Sequence, residues 1–285
     1  MKELKKCKKC GLFIDKNRNK CPFCGFDQDI NNEENNNSPK NSIDLQYLSR
    51  SKGLSLSFLK EVILFLSGTI GLIIIQLLII GIINLSQGSD FLQTVKANSI
   101  ITIATYSILF PIMLLVLYKD NLKLLIDFKN AKLNIIWGIL SGVIIILIST
   151  LYNYLIDLGG FNQNDNQQSV ENIIDYFPVA SVFIIGLIGP ICEELTYRLG
   201  FFALLKKINK YLAYVLAAVF FGFIHFNYSS KNLLNELINL PNYIFAGVAL
   251  CFTYDKFGLP ASISAHVFNN IVGLIQMFIL KYYAW

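Results

Sequence analysis

The chain changes character near residue 55. Before it, polar and apolar residues mix without a clear period. After it come seven apolar segments, at about 62–85, 98–118, 134–156, 178–205, 211–228, 238–254 and 259–281. Each approaches the ~20 residues an α-helix needs to cross ~30 Å of hydrocarbon. The pattern predicts an all-α polytopic membrane protein with about seven transmembrane helices over residues 55–285, leaving open an eighth, re-entrant or split segment. No motif or period recurs between the two halves, which argues against an inverted-repeat transporter.

Composition sharpens this division. Residues 1–54 carry 18 of the 43 charged residues. The rest of the chain is then far below the ~25% charge of a soluble domain, which excludes a water-soluble globular protein. Its aromatic and branched aliphatic content equally excludes disorder after residue 54. The net charge of +5 sits mostly in the polar head, so no nucleic-acid partner is expected. Lys5, Lys6, Lys8 and Lys9 read as a solvated, topology-setting tail, or as a contact to anionic lipid. The first 54 residues contain no apolar h-region, so no cleavable signal is predicted.

Four of the six cysteines, Cys7, Cys10, Cys21 and Cys24, form a C-x2-C-x10-C-x2-C pattern, with Gly11 and Gly25 after the pairs. Two such knuckles suit four thiolates around one tetrahedral zinc, and glycine lets the backbone turn tightly beneath the metal. Residues 1–26 are expected to form a small zinc ribbon in which the ion is structural, because four protein ligands leave no open position. Reduced thiols place this head in the cytoplasm. Residues 27–54, with an Asn-rich run from Asn31 to Asn37, read as a flexible polar linker.

Loop charges agree with a cytoplasmic head in a multi-pass plasma-membrane protein. The 119–133 loop carries Lys119, Lys123, Lys129 and Lys132, whereas the 157–177 loop carries Asp157, Asp165, Glu171 and Asp175 and no Lys or Arg. Basic loops stay inside.

Ionisable groups at bilayer depth are costly, and so point to function. The first three spans are expected to hold essentially none. The fourth contains Glu193, Glu194 and Arg198, the fifth His225, and the seventh His266 with Asn269 and Asn270; no other histidine exists in the chain. Glu194 and Arg198, at i and i+4, share a helical face and can neutralise each other. Glu193 points about 100° away, a lone carboxyl able to take and return a proton. At 1.5 Å per residue, Glu193 and His225 come out near the midplane and His266 nearer the inner edge, unless tilt or a break around Gly258–Pro260 intervenes. The set is expected to line a polar cavity open toward the cytoplasmic half. Neither a Gly-x-Ser-Gly serine motif, nor a His-Glu-x-x-His zinc motif, nor a pair of intramembrane aspartates is present. Cys192 is a poor nucleophile in apolar surroundings. A carboxylate and a histidine activating water, with a second histidine and an asparagine stabilising the oxyanion, fits the residue types best.

The arrangement resembles the CAAX prenyl protease and bacteriocin-processing membrane proteases, also called the Abi family. Three motifs carry the resemblance: Glu193-Glu194-Leu195-Thr196-Tyr197-Arg198, Phe221-Gly222-Phe223-Ile224-His225 and His266-Val267-Phe268-Asn269-Asn270, in order and on three spans. The match covers a core of about 178–275 and leaves the ribbon outside it. It implies hydrolysis of a peptide bond in a membrane-associated peptide or protein. Glu193 and His225 would activate water, His266 and Asn270 would hold the oxyanion, and Glu194 and Arg198 would support them. It leaves a catalytic metal open. A membrane peptide-binding or bacteriocin self-immunity protein that does not cleave is the competing reading.

Overall fold

The computed structural model describes residues 4–7, 13–15, 17–20, 27, 56–120 and 132–283. It divides into two compact units, Met1–Asp44 and Leu45–Trp285.

In the first unit, strands β1 (Leu4–Lys6) and β2 (Phe13–Asp15) pair antiparallel, with Leu4 opposite Asp15, Lys5 opposite Ile14 and Lys6 opposite Phe13. Lys20 and Asp27 form a second, isolated antiparallel bridge. In sequence, each C-x2-C pair therefore falls between two paired segments. Cys7 is buried; Cys10, Cys21 and Cys24 lie outside the described residues, as does the linker after Asp27.

The second unit is helical: α1 (Phe58–Gln87), α2 (Val95–Val116), α3 (Lys132–Leu158), α4 (Asp165–Tyr176), α5 (Pro178–Lys206), α6 (Lys210–Phe223), α7 (Leu233–Phe257) and α8 (Leu259–Tyr283). Among the described residues six helices are long and apolar enough to cross a membrane: α1, α2, α3, α5, α7 and α8. The expected fifth span is shorter than its apolar sequence suggested. Asn209 caps α6 by accepting from the N–H groups of Tyr211 and Leu212, but the helix stops after 14 residues. It is followed by a turn through Asn227, whose side chain accepts from Ser229 N–H, chemistry that favours turns over helix. His225 consequently stands on a turn rather than inside a helix.

The first span also starts earlier than expected, so Lys60 and Glu61 fall within α1. Glu61 is buried and pairs with Lys207, Lys60 pairs with Asp120, and Asp255 pairs with both Lys206 and Lys210. These ion pairs tie the ends of α1, α2, α5, α6 and α7 into one basic-rich end of the bundle. At the opposite end Lys281 pairs with Asp175. Between the two ends, large apolar residues such as Ile73, Leu77, Ile82, Leu147 and Leu151 project outward, which suits lipid-facing surfaces. The chain is an integral membrane protein on this helix pattern.

Packing explains how the helices approach closely enough to build a site. A Cβ on Gly138 would overlap the backbone of Ala261, and one on Gly142 would sit 2.8 Å from the Ala265 carbonyl oxygen. Two small residues one turn apart on α3 thus meet two on α8, the spacing that lets membrane helices come into backbone contact. Gly258, with φ of 83°, reverses the chain between α7 and α8, a conformation that costs glycine little. The main core joins α1, α2, α5 and α8 through Leu64, Ile79, Leu109, Met113, Leu195, Leu199 and Ile263.

Candidate active site

Helix α5 is irregular where its charges lie. Pro190 follows a π-helical stretch, Ile184–Ile188, and a longer one, Leu195–Phe202, begins right after Glu194. A π turn holds more residues per turn than an α turn, and such turns recur at functional sites. The second stretch compresses the rise between Glu193 and the basic-rich end. Glu193 and His266 nonetheless meet, although residue counting put them at different depths, and the shortened rise of this stretch accounts for only part of that difference.

His266 is 7% exposed and bonds Glu194 Oε1 through Nδ1 at 2.9 Å, while its Nε2 lies 3.7 Å from Glu193 Oε2. Glu194 is fully buried, and Arg198 Nη1 approaches the same Oε1 at 3.3 Å, as the i, i+4 spacing predicts. The guanidinium also stacks over Phe221, 4.2 Å from the ring centroid. Phe221 in turn meets both histidine rings, at 4.9 Å for His225 and 5.9 Å for His266. One aromatic ring thereby spaces the cation and the two imidazoles.

Glu193 is not isolated. Tyr106, from α2, donates its hydroxyl to Glu193 Oε1 at 3.1 Å. The other oxygen, Oε2, is buried and makes no hydrogen bond among the described residues. Tyr106 is a functional candidate that sequence reasoning missed: a lone tyrosine among the hydroxyl-bearing and apolar residues of α2 has no motif to mark it.

His225 and Asn270 have partners that the sequence did not announce. His225 Nδ1 donates to the Phe221 carbonyl at 2.8 Å, and its ring stacks on Tyr243 at 4.6 Å between centroids. The imidazole nitrogen within 4 Å of Glu193 is Nε2 of His266, at 3.7 Å. Asn270 spends one amide hydrogen on the Ile185 carbonyl at 2.9 Å, inside the first π-helical stretch, and its Oδ1 accepts from Asn269. That leaves one N–H of Asn270 for other partners.

Glu193, His225, His266 and Asn270 line one cavity of about 1680 Å³. Its walls also include Tyr106, Tyr243 and the segment 161–171 that leads into α4. The sequence reading opened this cavity toward the lysine-bearing end. The lining reaches the opposite end instead, where α6 stops short and α4 and its approach form the rim. Glu171 lines that rim, and its burial together with the neighbouring Asp175 carboxylate pushes its carboxyl up from the ordinary value.

Among the described residues no three His, Cys, Asp or Glu side chains converge as metal ligands would, and both nitrogens of His266 already face carboxylates.

Residues 175–272 match the family described as Type II CAAX prenyl endopeptidase Rce1-like. The chain is 28% identical over 153 residues to the candidate membrane peptidase YdiL of Bacillus subtilis, covering 51% of this chain and 57% of that protein. It is 27% identical over 117 residues to the UPF0177 protein YvdC of Lactococcus lactis, covering 41% and 42% of the two chains. The chain thus spans about half the length of the curated relatives it matches. No solved structure matches it.

Proposed function

We propose that this protein is an intramembrane endopeptidase that cleaves a membrane-associated peptide or protein with water activated by Glu193 and oriented by His266. The observation that carries the reading is the 3.7 Å separation of Glu193 Oε2 and His266 Nε2 at the wall of the cavity. It is too long for a direct hydrogen bond, so neither atom is spent on the other and both remain able to accept from one water molecule that enters between them. Nδ1 of His266 gives its hydrogen to Glu194, which leaves Nε2 as the acceptor. Tyr106 occupies Oε1 of Glu193, which leaves Oε2 as the base.

A water donating one hydrogen to each keeps a lone pair directed at the substrate carbonyl. Its oxygen attacks the carbonyl carbon as Glu193 takes the proton, and the carbonyl π pair moves onto oxygen. The remaining N–H of Asn270 holds that oxyanion, and His225, whose Nδ1 hydrogen goes to the Phe221 carbonyl, offers Nε2 to the cavity as a further proton acceptor. When the intermediate collapses, the C–N bond breaks and the leaving nitrogen takes the proton back from Glu193. Relative to the family-based expectation, His266 moves from the oxyanion to the water.

The bundle lies with its basic-rich end in the cytoplasm of a plasma-membrane protein, as the positive-inside rule directs. The cavity then faces outward. The N-terminal cysteines bind one structural zinc, a reading supported by the paired segments bracketing each C-x2-C.

The deciding experiment measures cleavage of a membrane-bound peptide reporter by purified protein in lipid. Glu193→Gln and His266→Ala should each lower the rate by about 10²–10⁴-fold, the usual weight of a general base. Cleavage that survives both would falsify the mechanism. Binding of the reporter with no cleavage by the unsubstituted protein would favour the peptide-binding reading instead.

A further inference from the structure

A second polar cluster lies beyond the motif residues, at the rim end of the cavity. Glu236, in the first turn of α7, is 1% exposed. Its two oxygens accept from two different loops: Oε1 from Asp165 N–H at 2.8 Å and Oε2 from Asn227 N–H at 3.0 Å. Asn227 is two residues past His225. Asp165 follows Asn164, whose amide donates to the His225 carbonyl at 3.3 Å and whose Oδ1 accepts from the Tyr243 hydroxyl at 3.1 Å. Tyr243 is the ring stacked on His225, inclined by only 14°. Asn166 also donates to the Tyr243 hydroxyl at 3.2 Å.

His225 needs such support because of where α6 ends. A histidine inside a helix is held by its neighbours' backbone bonds, but this one stands on a turn. Its carbonyl would otherwise be tied to no helical partner. A buried carboxylate that accepts two backbone N–H groups is a rigid clamp, because neither bond can be given up without leaving a charge unpaired in low dielectric. Here the clamp closes on both loops that flank the imidazole.

We infer that Glu236 and Tyr243 are positioning residues for His225: Glu236 fixes the two loops that carry its backbone contacts, and Tyr243 fixes the plane of its ring. Neither belongs to the three motifs, and neither touches Glu193. The inference rests on the proposed peptidase reading for its kinetic consequence, but its structural content stands apart from that reading.

The test uses both properties. The chain has only two histidines, so selective ¹⁵N labelling of histidine in full-length protein in lipid yields two imidazole spin systems, assigned with His266→Ala. Glu236→Gln, which cannot accept at its amide nitrogen, should shift the His225 imidazole resonances and leave those of His266 in place. In reporter cleavage it should lower kcat by about 10- to 100-fold with KM within about twofold, as expected when a reacting group is misplaced rather than binding lost. Tyr243→Leu should act in the same way without disturbing the buried charge, and Tyr243→Phe, which keeps the stacked ring, should recover most of that loss. Unmoved His225 resonances in Glu236→Gln and Tyr243→Leu would overturn the inference, as would the two histidines shifting together. If the unsubstituted protein cuts no reporter, the peptidase reading fails while the resonances still decide the positioning of His225.

Discussion

His266 and Glu194 share a 2.9 Å hydrogen bond through Nδ1, deep in the bundle, and Glu194 is neutralised in turn by Arg198. That chain of contacts decides which nitrogen of His266 carries hydrogen. In the proposed mechanism the second carboxylate of the Glu-Glu pair therefore acts on the first through an imidazole, and adjacent residues in sequence take unlike parts: Glu193 as base, Glu194 as the group that orients His266.

Tyr106→Phe tests whether Glu193 needs its second partner. Removing one hydrogen bond to a charged group is worth about 1.5–3 kcal/mol. Losing it should free Oε1 to compete for the water and reduce reporter cleavage by about tenfold or more, with folded yield in detergent little changed. Unaltered kinetics would remove Tyr106 from the site.

Arg198→Ala should behave unlike the changes at Glu193. Glu194 and Arg198 both have fully buried side chains, and breaking such a pair by removing one partner costs about 3–5 kcal/mol. The expected result is a large loss of folded protein, measured by thermal unfolding in detergent. Arg198→Met combined with Glu194→Gln should restore part of the stability, since no lone charge remains, but not the activity, since the partner of His266 is altered. Stability equal to that of the unsubstituted protein in Arg198→Ala would contradict the burial of the pair.

Gly138→Leu should separate α3 from α8, because even a Cβ at this position meets the Ala261 backbone. Forcing extra volume into a packed contact typically costs 1–3 kcal/mol or about that and more. Since α8 carries His266 and Asn270, cleavage should fall with stability. Gly81→Leu, where a Cβ meets nothing within 4 Å, provides the comparison and should leave the melting temperature within a degree or so of normal.

The zinc and orientation proposals are checked together. Elemental analysis of reduced full-length protein should find about one zinc per chain, lost in Cys7→Ser with Cys10→Ser while reporter cleavage persists, because a closed four-thiolate site does no chemistry. A thiol probe placed at Asn166 should label from outside intact cells. Labelling only after permeabilisation would invert the bundle and turn the cavity inward.

The motif residues were legible because charge at bilayer depth is rare enough to stand out, and Glu193, Glu194, Arg198 and His266 do gather at one site. What the sequence concealed was shape. The π-helical stretches around Pro190 have no compositional mark, and residue counting, which assumes upright helices of uniform α rise, misplaced the depth of His266 relative to Glu193. The apolar run through Phe226 hid the end of α6 at Phe223 and, with it, the position of His225 on a turn. Tyr106, Tyr243 and Glu236 were missed because each gains its meaning only from partners 60 or more residues away or from the opposite loop, as in Tyr106 with Glu193 and Glu236 with Asp165. Asn270 was read as a free donor because its bond to Ile185 exists only where the helix carbonyls are released from α geometry.

The early end of α6 has a consequence for the lipid. Fourteen residues span about 21 Å, well short of the ~30 Å hydrocarbon layer. With Leu212, Val215 and Phe223 turned outward, the bilayer meets a locally short apolar wall and adjusts by thinning there, at modest elastic cost. Headgroups drawn down beside the rim of the cavity would give the peptide of the proposed reaction a shorter dry path to His225 at this flank than at a face built from a full-length helix.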